Sequence, residues 1–148
     1  MILLHLSQAI DSQTKGEDSQ AIAELEHAIE TGFNETAVEF ALGMLQVSSG
    51  NVDKGLRHLQ RAIKHDDYAL GARLLMAAAL EGMNRLQAAG IEYLEALKLA
   101  DCVTVDPQHA DMIAQLYEPL IEAQSTHDDP AATKKLCENI RGLLNQEN

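Results

Sequence analysis

Residues Gly16–Ala28 read GEDSQAIAELEHA, and the chain restates this stretch twice at a fixed interval. Thirty-four residues on, Gly50–Ala62 reads GNVDKGLRHLQRA; thirty-four further, Asn84–Ala96 reads NRLQAAGIEYLEA. Four columns align without a gap: Gly16/Gly50/Asn84, Ala21/Gly55/Ala89, Leu25/Leu59/Tyr93 and Ala28/Ala62/Ala96. Glycine or asparagine suits a tight turn with positive φ. The small, large, small series after it falls on one helix face, where small side chains let a neighbouring helix approach. A strict interval of this size marks a stacked repeat, each unit a helix pair that cannot bury its apolar face alone.

Composition agrees. The chain is 46% apolar but only 3% aromatic, with no Trp and many Ala and Leu, which is an all-α composition. Its 148 residues suffice for one domain with a core. Eleven basic and 23 acidic residues give 11 − 23 = −12. That balance argues against nucleic acid and against anionic membrane surfaces, and it suits either a solvated surface or a basic partner. Two cysteines, Cys102 and Cys137, make no disulfide framework. The opening MILLHL lacks a basic n-region, and no run approaches the roughly 20 apolar residues of a membrane span. Cytoplasmic location is the expectation.

Taken in order, Leu3, Leu6 and Ile10 predict a helix over 2–14, ended by Gly16. Its partner over 17–31 carries Ala21, Ile22, Leu25, Ala28 and Ile29, with Gly32 as C-cap. Asn34 is the expected N-cap of a third helix reaching to Gly50, and Asn51 that of a fourth ending near His65. Asp66 or Asp67 opens a nearly apolar fifth; the sixth runs from Leu86 to about Ala100. There the interval breaks. Asp106-Pro107 and Asp129-Pro130 read as N-cap plus N1 proline and bracket helices over about 107–126 and 130–146. Pro119 predicts a kink or a break in the first. The second has an expected buried stripe of Leu136, Ile140, Leu143 and Leu144.

The interval and the four columns resemble the tetratricopeptide repeat, over roughly residues 2–101. Leu42-Gly43 matches that family's Leu-Gly pair midway along the first helix, and Met76-Ala77 matches in kind. The chain departs where the family's early aromatic becomes His5, Glu39 and Arg73, and where its closing proline becomes Phe33, Asp67 and Asp101. The resemblance implies a single domain, 1–148: a right-handed superhelical array of about eight helices, with repeats over 2–33, 34–67 and 68–101 and a divergent closing pair over 107–146. It also implies a concave groove lined by first helices, which maps to Leu3, Leu6 and Ile10, then Ala37, Phe40, Met44 and Val47, then Gly71, Leu74 and Ala78. None of these is Lys, Asn or Arg, so the carboxylate clamp of family members that bind chaperone C-termini is not expected. An apolar groove suits an amphipathic helix or an extended apolar segment. The same stripe, at helical spacing, equally fits internal core, or a contact with a second copy.

Catalytic patterns are missing. The six histidines, His5, His27, His58, His65, His109 and His127, form no HExxH or other ligand spacing. His58 and His65, seven apart with Asp66 and Asp67 following, read as a solvated helix end rather than a metal site. Asp66/Asp67 and Asp128/Asp129 read as caps, and no His–Asp pairing activates either thiol. No glycine pattern matches a phosphate loop. We therefore expect no enzyme, no metal and no cofactor. The expected function is a protein-interaction scaffold or adaptor taking an apolar or amphipathic segment of a protein partner. The alternatives are a small acidic chaperone similar to the type III secretion translocator chaperones, and a self-associating structural module that forms a homodimer: the apolar start has no polar capping helix before it, so the ends either pair with another copy or were cut from something longer.

Overall fold

The computed structural model describes residues 18–32, 35–126 and 129–146. Among these the chain is all-helical, with α1 (Asp18–Glu30), α2 (Thr36–Ser48), α3 (Val52–Ala62), α4 (Asp66–Gly82), α5 (Leu86–Cys102), α6 (Pro107–Thr126) and α7 (Pro130–Gln146). None of these helices is long and apolar enough to cross a membrane. The expected helix over 2–14, with Leu3, Leu6, Ile10, His5 and the turn at Gly16, lies outside the described residues, as do Phe33, Asn34, His127 and Asp128. The chain divides into two compact units, the first ending at Tyr68 and the second beginning at Ala69.

The repeat columns have a physical counterpart. Gly50 and Asn84 both hold positive φ, +98° and +61°. At each, the next residue's N–H reaches back five positions to a helical carbonyl: Asn51 to Gln46 at 2.8 Å, Arg85 to Leu80 at 2.9 Å. This is the Schellman closure, and it needs a left-handed residue where the chain leaves the helix. The other columns are buried in every copy: Ala21, Gly55 and Ala89; Leu25, Leu59 and Tyr93; Ala28, Ala62 and Ala96.

In the first unit Ala21, Ile22 and Leu25 of α1 form one core with Val38, Leu42 and Leu45 of α2. On its other side α2 meets α3 backbone to backbone. A Cβ on Gly55 would stand 2.8 Å from the Gly43 carbonyl oxygen and 2.9 Å from the Val47 nitrogen. Only a hydrogen fits there, so the pairing depends on glycine.

In the second unit α5 packs against both α6 and α7. Gln124 of α6 is buried and presses on Gly90, where a Cβ would come within 2.6 Å of its amide nitrogen. Gln87 Nε2 donates to the carbonyls of Gln124 and Ser125 at 3.2 and 2.6 Å. Buried Tyr93 donates to Glu81 at 2.8 Å, and Arg141 of α7 reaches the same carboxylate at 3.3 Å. Burial first, and then the Glu81 carboxylate, push the Tyr93 hydroxyl well above its ordinary pKa.

Two of the residues that stand where the tetratricopeptide pattern has an early aromatic, Glu39 and Arg73, pair with a side chain of opposite type. In the first unit Glu39 is buried and meets His58 Nδ1 at 2.5 Å, with Arg61 at 3.6 Å. In the second, Arg73 meets Glu92 at 2.8 Å. Residues 39 and 73 are one interval apart, as are 58 and 92, so the two pairs are equivalent with the acid and base exchanged. A buried carboxylate without such a partner would be costly.

Several expectations are corrected. The expected break at Pro119 does not occur: α6 continues as one helix through it, with Pro119 exposed. Asn51 stands at the N-cap of α3 as expected, but its side chain makes no cap bond. His65 does not terminate α3, which ends at Ala62; its ring accepts the Asp67 N–H at 3.3 Å, at the start of α4. On α7 the buried face is Thr133, Cys137, Ile140 and Leu144, while Leu143 is 50% exposed. The stripe is thus rotated by about one residue, because Thr133 and Cys137 take the innermost line. The two Asp-Pro starts behave as read: Asp106 accepts the His109 N–H at 2.9 Å and Asp129 the Ala132 N–H at 3.2 Å.

Candidate interaction surface

The residues mapped to a groove are neither core nor fully displayed. In the first unit Ala37, Phe40, Met44 and Val47 are all half-buried on α2, beside the buried line of Val38, Leu42 and Leu45. Their spacing of three and four places them on one face. Phe40 stacks on Tyr68, ring centroids 5.4 Å apart, and Tyr68 in turn meets the His65 ring edge-on at 5.8 Å. A shallow pocket opens there between Glu35, Thr36, Ala37, His65, Asp67 and Tyr68. In the second unit Gly71 and Leu74 are half-buried and Ala78 is exposed. Leu3, Leu6 and Ile10 fall outside the described residues.

Of the large apolar side chains that are well exposed, Val103 stands alone after α5, whereas three others share one helix, α6. Met112, Leu116 and Leu120 are 60%, 72% and 54% exposed. Spaced i, i+4, i+8, they form one row on the helix surface. Its inner end runs into a cleft of about 260 Å³ floored by Leu94 of α5 and walled by Leu120, Ala123 and Gln124 of α6 and Leu136 of α7. Leu143, two turns beyond Leu136 on the same flank of α7, continues the apolar character. The row was legible in the sequence as a repeated four-residue spacing. What sequence could not give is that the buried face of α6 lies to one side of it: Tyr117 donates to Asp101, and Ile113, Tyr117 and Ile121 are half-buried while the row faces outward.

Several of the ionisable groups are paired. Lys98 lies between Glu95 at 3.0 Å and Glu118 at 3.5 Å; burial pulls its pKa down, and the two carboxylates outweigh that to leave it raised. His58 goes to Glu39 while His65 caps α4, so the two histidines do not converge. No group of three or more His, Cys, Asp or Glu side chains gathers to hold a metal among the described residues. Cys137 is fully buried, and desolvation raises its thiol pKa to about 11; Cys102 is half-buried, its Sγ 3.5 Å from the Ala110 carbonyl. A thiol held protonated is a poor nucleophile.

Comparison with protein-family models, with curated proteins and with solved structures finds no match to this chain.

Proposed function

We propose that the chain is a non-catalytic protein-interaction module, built of tetratricopeptide-like helix pairs, that docks an apolar or amphipathic segment of a partner protein. The observation that carries this reading is the row of Met112, Leu116 and Leu120, large apolar side chains more than half exposed on one face of a single helix. Such a row costs solvation free energy in isolation and marks a contact surface. The half-buried stripe of Ala37, Phe40, Met44 and Val47 in the first unit supports the same reading as a second docking face. The engaged ionisable groups and the protonated Cys137 support a module without chemistry of its own. Self-association draws on the same exposed row, since a second copy would also cover it.

The test places a photoreactive phenylalanine derivative at position 116 and, as control, at exposed position 64. Saturable capture of one polypeptide from position 116 alone, followed by rebinding of that polypeptide in purified form, is the expected result. Failure to capture any polypeptide, with the purified chain remaining a monomer at all concentrations, overturns the reading.

A further inference from the structure

The charge around the apolar row specifies the kind of helix that fits it. Resting on the interaction reading above, we propose that the cleft between α6 and α7, with the row that leads into it, takes an amphipathic helix whose flank is basic. α6 carries Asp111, Glu118 and Glu122 and, over its 20 residues, neither Lys nor Arg. The three acids stand at i, i+7, i+11, a single row along the solvent side of the apolar one. Glu118 shares Lys98 of α5 with Glu95, which offsets one acid of the row, while α6 itself supplies no Lys or Arg to the other two. The opposite rim does not reverse this sign. Beside Leu136 on α7 the nearest solvent-facing positions in the helical wheel are Ala132 and Asn139, both exposed and uncharged, with Lys135 beyond them.

The cleft also has the right form for a helix. Leu94 supplies the floor, Leu120 and Leu136 face each other across it, and Leu116 and Met112 extend one wall outward. A helix laid there would bury a ridge of large apolar side chains spaced i, i+3, i+4, i+7. Its lysines or arginines would then lie over the acids of α6. A second copy of this chain fits less well, because each brings a net charge of −12 and its own acidic α6.

The experiment uses two fluorescent synthetic helices of about 18 residues, identical in their leucine ridge, one flanked by lysines and the other by glutamates. Anisotropy is read with the intact chain at low and high salt. The lysine helix is expected to bind roughly tenfold tighter at low salt and to lose most of that advantage near 0.5 M, where the Debye length falls to about 4 Å. L116S/L120S should weaken it about tenfold or more, and E118Q/E122Q should narrow the gap between the two helices. E26Q/E30Q, on the other unit, should change neither. Equal binding of both helices, or loss on E26Q/E30Q alone, overturns the proposal, as does a dimer that L116S/L120S dissolves. If neither helix binds while the crosslinker at 116 still captures its partner, the basic-helix inference fails and the interaction reading stands; if both experiments are negative, both fall.

Discussion

Exchanging Arg73 and Glu92 tests whether the repeat uses opposite charge itself or one particular pair of side chains. The two groups meet at 2.8 Å with side chains 24% and 15% exposed, so they are screened less than a surface pair but not cut off from water. At a charge separation of about 4 Å and an effective dielectric near 20, their attraction is on the order of 4 kcal/mol before desolvation. Solvation lost by both groups offsets much of this, which leaves a coupling of about 1–3 kcal/mol. R73E alone sets two carboxylates against each other, and E92R alone two cations, so each should lose about 2 kcal/mol of unfolding free energy. The double exchange R73E/E92R recreates the order that the first unit already uses, with the acid on the first helix and the base on the second. It should recover most of the loss. Urea unfolding of the four proteins closes the cycle. If the double variant is no more stable than the two single losses summed, the pair contributes no coupling, and the equivalence drawn with Glu39 and His58 is wrong.

Gly55→Ala should destabilise by about 1–3 kcal/mol although alanine is the better helix former, because the methyl meets the Gly43 carbonyl and the Val47 nitrogen, which cannot yield as the Val47 side chain can; Gly142→Ala, with nothing within 4 Å, should stabilise by about 0.5–1 kcal/mol, both by thermal unfolding. Cys102 should react with a thiol reagent in the native protein well before Cys137, which waits for unfolding. Because the folded Cys137 pKa lies near 11, above its ordinary 9.0, its contribution to stability is complete below pH 9 and falls away as pH rises from there through 11, readable as a falling urea midpoint. Asp106 has the opposite sign: the His109 backbone N–H holds its carboxyl below the ordinary value, so the α6 cap is intact above that value and frays as pH falls through the folded pKa, seen as a loss of His109 amide protection relative to the intrinsic exchange rate at each pH. Leu116→Ser should leave stability within about 0.5 kcal/mol, whereas Leu59→Ala should cost about 2–5 kcal/mol.

Much of the local architecture was legible because each signal was local. Gly50 and Asn84 announce left-handed turns by their chemistry alone, and Asp106-Pro107 and Asp129-Pro130 announce helix starts to the residue. The small column needs more than the sequence to explain it: glycine at 55 is a response to Gly43, a residue on another helix. Pro119 does not divide α6, and the residue type alone does not tell a helix that continues through a proline from one that ends there. The Leu143 error arises because two adjacent stripes on α7 are both apolar and the partner helix chooses between them. The Glu39–His58 and Arg73–Glu92 pairs were within reach. Columns 5/39/73 and 24/58/92 read His/Glu/Arg against Glu/His/Glu, so opposite charge recurs in every copy, yet position 39 looked only like a lost aromatic. The exposure of Met112, Leu116 and Leu120 was not readable at all, because a helix with apolar residues on two faces does not declare which one is covered.

The amide contacts that hold α6 on α5 have a consequence for the time course of any encounter. Gln87 grips the last turn of α6 through two carbonyls, and Gln124 fills the space left by the missing side chain of Gly90. Neither helix can swing outward without breaking the Gln87 bonds and exposing the buried Gln124 amide, so a partner of the proposed kind would meet a cleft already formed. Its capture should then proceed in a single kinetic phase whose rate grows linearly with partner concentration, in the range of about 10⁵–10⁷ M⁻¹s⁻¹ usual for docking onto a formed surface. The lifetime of the complex, rather than the rate of its formation, would be where variants of Leu116 and Leu120 reveal themselves.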